Sequence, residues 1–154
     1  KKKYIEELSR KELKEKKKSY NKRVRKLSKL FNKVNKVGNK PVKPVIFLTH
    51  NVPYSTKLDL INNKNSPRQG QHFGSVIAKE VIERHQPLVC IGGHMHEHFG
   101  KQKMANGRTT AINAGFGGKV NTFLEINNKT GKIRSIKFIK HDKRKEFNVK
   151  VGWK

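Results

Sequence analysis

The sequence predicts an α/β fold with an N-terminal basic amphipathic helix, and three observations lead there. Two short, apolar, β-rich runs, residues 45–48 and 87–91, bracket a helical pattern at residues 75–85, which is the strand, helix, strand order of a parallel sheet. A long stretch with a helical apolar stripe precedes them, and two antiparallel hairpin signals come after. The 154 residues, 33% of them apolar, suffice for one modest core. Three segments are expected: a basic helical segment over residues 1–40, an α/β part over 41–140 and a basic tail over 141–154.

In residues 4–37, Tyr20, Val24, Leu27, Phe31 and Val34 recur at steps of four and three, which puts them on one helix face. Ser9 with Glu12 fits a capping box, so the helix should be well defined from Ser9 onward, and Gly38 with Pro41 should end it. Val45-Ile46-Phe47-Leu48 is apolar at every position, as a strand covered on both faces would be. It leads into Thr49-His50-Asn51. The next 23 residues, 52–74, are rich in Asn, Ser, Pro and Gly, and a loop of that length is expected to be functional or mobile. Ser75 can cap a helix that presents Val76, Ile77, Val81 and Ile82 as its apolar face. Pro87-Leu88-Val89-Cys90-Ile91 then reads as a second buried strand, ending at Gly92-Gly93-His94-Met95-His96. Residues 101–104 and 109–112 flank Asn106-Gly107, which suits a type I′ hairpin turn. A second hairpin is expected from residues 121–126 and 132–139 across residues 127–131.

Composition excludes several classes. No apolar run approaches the roughly 18 residues a membrane-spanning helix needs, and the charged N-terminal segment lacks the apolar core of a signal peptide. One cysteine forms no internal disulfide, so a reducing, cytoplasmic setting is expected; Cys90 belongs in a strand core. The chain does not begin with Met, so its gene product is expected to start upstream of Lys1. The net charge of +26 is concentrated at the ends, with +13 in residues 1–40 and +7 in residues 132–154. Such an excess favours polyanions, including nucleic acid, although most of the bases are Lys and not the better phosphate-reading Arg.

Five of the seven histidines, at 50, 72, 94, 96 and 98, lie in or just after the segments that succeed the two apolar strands. In open α/β sheets the ligand crevice lies beyond the carboxyl ends of the strands. If the two strands are neighbours about 5 Å apart, His50 and His94 emerge close together. Imidazole is the commonest transition-metal ligand, and the i, i+2 spacing of His94 and His96 lets both reach one cavity. For substrate contacts the candidates are Asn51, next to His50, and Arg68 and His72 in the long loop. His98 is expected to hydrogen-bond at the surface or to support the loop, and His85 and His141 to be non-functional.

Leu48-Thr49-His50-Asn51-Val52-Pro53 and Gly93-His94-Met95-His96 resemble the last two signature blocks of the calcineurin-like metallophosphoesterases. The likeness covers roughly residues 41–139 and is nearest to the small prokaryotic phosphoesterases of that superfamily. It implies the C-terminal half of a layered α/β/β/α sandwich and a hydrolase acting on phosphodiesters or phosphomonoesters through two divalent ions, Mn, Fe or Zn. Residue by residue, it implies that His50 and His94 ligate the second metal and His96 the first. The family's earlier Asp-x-His, Gly-Asp and Gly-Asn-His blocks have no counterpart here. The only aspartates are Asp59 and Asp142, and neither has the setting of the bridging ligand. Two divalent ions need such a bridge, so the missing N-terminal half is expected in the same or a separate chain. The alternatives are a catalytically dead relative or a basic nucleic-acid-binding module on the same fold.

Overall fold

The computed structural model describes residues 10–35, 44–96, 98–116 and 119–141. Helix α1 (Arg10–Asn35) is the basic amphipathic segment, and Ser9, Gly38 and Pro41 lie outside the described residues. Its stripe is buried at Val24 and Phe31, half-buried at Tyr20 and Leu27, and exposed at Val34, where the periodicity predicts burial. Phe31 anchors the helix, stacking on His85 at 4.9 Å and meeting the edge of Phe47 at 5.3 Å. Burial of a phenylalanine contributes about 1.5–3 kcal/mol. His85 also bonds Ser28 through Nε2 and Oγ at 2.9 Å.

Strand β1 (Ile46–Asn51), helix α2 (Val76–His85) and strand β2 (Val89–Gly93) form the expected parallel unit, with Ile46, Phe47 and Leu48 opposite Val89, Cys90 and Ile91. Ser75 caps α2 by accepting from the Ala78 N–H, and Gln86 closes it in the left-handed region. Two further strands, β3 (Gly100–Lys103) and β4 (Thr110–Asn113), complete this sheet. Strand β4 pairs parallel to β2, and β3 pairs antiparallel to β4, giving the order β1-β2-β4-β3. The β3–β4 connection is not the tight I′ turn expected from Asn106-Gly107. Gly107 alone takes positive φ, and Asn106 instead accepts from the N–H groups of Arg108 and Thr109 to build a longer loop. Strands β5 (Val120–Ile126) and β6 (Ile133–Lys140) form the second hairpin as a separate two-stranded sheet.

The core lies where Cys90 and Ala111 meet Ile82 of α2, Val52 and Leu58 of the long loop, Met95 and Met104. Phe47 packs against this cluster. On the opposite face Val89 and Ile112 are fully buried, but the β1 residues of that face are not. Ile46 is 45% exposed and Leu48 70%. The expectation that residues 45–48 are covered on both faces is therefore corrected: β1 is the edge of the sheet, and beyond it no described strand pairs. Val76, expected on the buried face of α2, is also half exposed, and Ala78 takes its place inside. Among the described residues no helix is long and apolar enough to cross a membrane.

Candidate functional site

The carboxyl ends of β1 and β2 carry the chemistry. Leu48 faces Ile91 and Asn51 faces Gly93, so Thr49 and His50 together stand opposite Gly92. Such a slip in register bends a strand and re-aims its side chains. Gly92 permits it by close approach: a Cβ there would lie 2.7 Å from the Val52 nitrogen and 2.8 Å from the Asn51 carbonyl carbon. Thr49 pins the slip by donating its hydroxyl to the Asn51 carbonyl at 2.7 Å. His94 leaves β2 at φ 70°, in the left-handed region that glycine favours, a conformation costing about 1–2 kcal/mol in another residue.

These two distortions bring His50 Nε2 to 3.1 Å from His94 Nδ1, with ring centroids 4.8 Å apart. Both side chains are exposed. Two nitrogens on one tetrahedral zinc ion, each at about 2.0–2.1 Å, stand about 3.3 Å apart, so the pair fits part of the shell of a single ion. Alone it does not make a two-metal centre, which needs a bridging carboxylate as well. The His96 ring lies 4.7 Å from that of Phe116. Among the described residues no three His, Cys, Asp or Glu side chains gather into a metal-holding group. Glu97 lies outside the described residues. His98 supports the loop as expected, bonding the Leu60 carbonyl through Nε2 at 2.8 Å.

The long polar segment is packed, and its centre is Asp59. This carboxylate is fully buried. It accepts from the N–H groups of Ser55 at 3.1 Å, Thr56 at 2.7 Å and Gly74 at 2.8 Å, with the Thr56 hydroxyl at 3.1 Å and His72 Nδ1 at 2.9 Å. Burial alone would push its carboxyl up, but the bonds from Thr56, His72, Gly74 and Ser55 outweigh that and hold it below the ordinary carboxylate value. Gly74 is required beside it, because a Cβ there would sit 2.7 Å from Asp59 Oδ2 and 2.6 Å from the Pro53 carbonyl oxygen.

The three substrate-contact candidates meet around Phe73. The Asn51 amide reaches the Phe73 carbonyl at 3.5 Å, the Arg68 guanidinium lies 4.8 Å over the Phe73 ring, and His72 precedes it in the chain. Sequence reasoning sets Asp59 aside for lacking a metal-bridging context. The available signal is local: Thr56 and Asp59, three residues apart, suit a side-chain-capped turn, and Asp59 is the only acidic residue in the segment. Cys90 is buried as expected, its thiol pushed up to about 11 by burial despite the Thr49 hydroxyl. Set against protein-family models, curated proteins and solved structures, the chain matches none of them.

Proposed function

We propose that this chain is the histidine-bearing part of a calcineurin-like metallophosphoesterase that hydrolyses phosphodiesters or phosphomonoesters. The observation that carries the reading is the meeting of His50 and His94, 3.1 Å apart, at the ends of neighbouring parallel strands. Each belongs to a sequence block that resembles a metal-ligand block of that superfamily. In the proposed enzyme His50, His94 and His96 hold divalent ions as neutral imidazoles, and Asn51, Arg68 and His72 contact the substrate. The ions, Mn, Fe or Zn, supply a polarised phosphoryl group and an activated water when bound.

The carboxylates that a two-metal centre needs are proposed to come from a further unit, in the same or a separate polypeptide, that adds a strand to β1. Two features support this placement. Among the described residues no strand pairs with the outer edge of β1, so its N–H and C=O groups can take an added strand, and the exposed Ile46 and Leu48 lie on it. Between α1, β1 and the start of α2 runs a groove of about 480 Å³, whose lining includes Arg23, Lys26, Leu30, Phe47, Leu48 and Ile77. A cytoplasmic enzyme acting on an anionic substrate suits the basic surface.

The test uses the complete gene product, assayed for bound metal and for hydrolysis of bis-p-nitrophenyl phosphate. His94→Ala and His96→Ala should each lose metal and activity; a doubly substituted protein that keeps both refutes the assignment. A second reading, a basic nucleic-acid-binding module, is favoured by α1, where twelve Lys and Arg stand against two Glu, and the described side chains among them are exposed. It predicts affinity that falls steeply with salt and survives the same histidine substitutions.

A further inference from the structure

Asp59 poses a question that loop packing does not answer. Neutral side chains can pin a turn, whereas a buried carboxylate is costly unless its charge is used. Three backbone N–H groups point at this carboxylate, so it can only accept. His72 Nδ1 must then carry the hydrogen of their 2.9 Å bond. The tautomer is fixed, and Nε2 is the free nitrogen of a side chain that is 31% exposed. Nε2 has no hydrogen-bond partner among the described residues. The ring meets that of Tyr54 in a T-shaped contact, 5.8 Å between centroids, with the Lys79 ammonium 6.0 Å over that tyrosine.

The surrounding backbone ties His72 to the strand ends. His72 pairs with Leu60, whose carbonyl takes the His98 bond from the segment after β2. Phe73 is held by Asn51 at the end of β1. The segment is thus tied both to Asn51 at the end of β1 and to His98 in the stretch after β2. Beside it, Arg68 is parked on the Phe73 ring and has no ion-pair partner among the described residues.

We propose that Arg68 and His72 form a clamp for a phosphoryl oxyanion, and that Asp59 is the residue that positions His72 in it. This rests on the phosphoesterase reading for the nature of the ligand. Arg68 supplies fixed positive charge. His72 Nε2 shares one proton with a phosphoryl oxygen: a neutral imidazole accepts it from a P–OH, and an imidazolium donates it.

The experiment is a titration of the full chain with inorganic phosphate, followed through the imidazole nitrogens by long-range proton–nitrogen NMR. Free His72 should show hydrogen on Nδ1, and phosphate should shift its Nε2 and the Arg68 Nε saturably. His72→Asn retains a group where Nδ1 was, and so the Asp59 bond, but lacks Nε2. It should keep the melting temperature and lose about tenfold in phosphate affinity, as should Arg68→Met. A purely structural Asp59–His72 pair leaves His72→Asn at wild-type affinity, which overturns the proposal. So does hydrogen on Nε2 in the free protein, or a phosphate response spread over the lysines with His72 unmoved. A parallel zinc titration separates the two readings. Phosphate held at His72 by a complete gene product that takes up no zinc at His50 and His94 supports the clamp and sinks the metal assignment. Zinc uptake with His72 silent towards phosphate does the reverse.

Discussion

Replacing Gly92 with alanine tests whether the close approach of β1 to β2 is what builds the histidine pair. The new Cβ would meet three backbone atoms, the Val52 nitrogen at 2.7 Å, the Asn51 carbonyl carbon at 2.8 Å and its oxygen at 2.9 Å. No side chain can swing aside to accommodate it. Ordinary contact begins at 3.4 Å, so the strand ends must part by about 0.7 Å. Overpacking of this kind costs about 1–3 kcal/mol. For a chain of this length that lowers the melting temperature by about 4–12 °C, taking about 4 °C per kcal/mol. The same displacement falls between His50 and His94, and it exceeds the roughly 0.2 Å tolerance of a metal–ligand bond severalfold. Zinc affinity should therefore drop by about 10–100-fold even though no ligand has been changed. Thermal unfolding by circular dichroism and a zinc titration on the folded variant measure both effects. A Gly92→Ala protein that melts within about 1 °C of wild type and binds zinc unchanged would refute both the packing argument and its link to the site.

His94 sits at φ 70°, so His94→Gly should be more stable than His94→Ala by about 1 kcal/mol in urea unfolding, while both lose the pairing with His50. Asp59→Ala leaves buried N–H groups unpaired and should cost about 3–5 kcal/mol, read from the same unfolding curves. The Asp59 carboxyl is held below its unfolded value of 3.8, so its contribution is full above that pH and is lost as pH falls through the folded value; an acid titration monitored by fluorescence should show this loss, absent in the alanine variant. His85 is held below 6.5, first by burial and then by Arg84, so the fold favours neutral imidazole. Stability should decline as pH drops below about 6.5, and His85→Phe, which keeps the stack on Phe31, should remove that part of the pH dependence.

The parallel strand–helix–strand unit and the second hairpin were legible because their signals are local: apolar runs, the Ser75 cap, and the Asn127 and Gly131 turn. The meeting of His50 and His94 was legible for a topological reason, since adjacent parallel strands deliver their succeeding residues to one end of the sheet. Three things were not legible. Whether β1 is central or an edge depends on which strands pair with it, and residues 45–48 carry no information on that. The Asn106-Gly107 dipeptide fits several turns, and Met104 and Thr109, which close the observed loop through a bond from the Met104 N–H to the Thr109 carbonyl, lie outside it. The burial of Asp59 depends on donors from residues 55, 56, 72 and 74, which become neighbours only when the long segment folds back on itself.

The mismatch at β1 bears directly on the proposed function. Val45-Ile46-Phe47-Leu48 has the composition of a strand buried on both faces, yet Leu48 is 70% exposed and no described strand pairs with one edge of β1. Natural edge strands are protected by charge, proline or a bulge along the exposed stretch. Here the only irregularity comes after Leu48, where it serves the histidines and leaves the apolar edge open. A conflict between what a segment is composed for and where it sits points to a function the local structure does not satisfy. The same strand ends in a histidine pair that fits part of one metal shell and has no carboxylate beside it among the described residues. One added strand bearing an acidic residue would cover Leu48, pair the open edge and complete the ligand set. This gives the proposed phosphoesterase a structural test independent of catalysis. Leu48→Lys should leave this chain as stable as before, within about 0.5 kcal/mol, because Leu48 makes little contact within it. The same change should abolish assembly of the complete site, measured as metal content of the full gene product. A Leu48→Lys protein that still loads metal would remove β1 from the assembly surface.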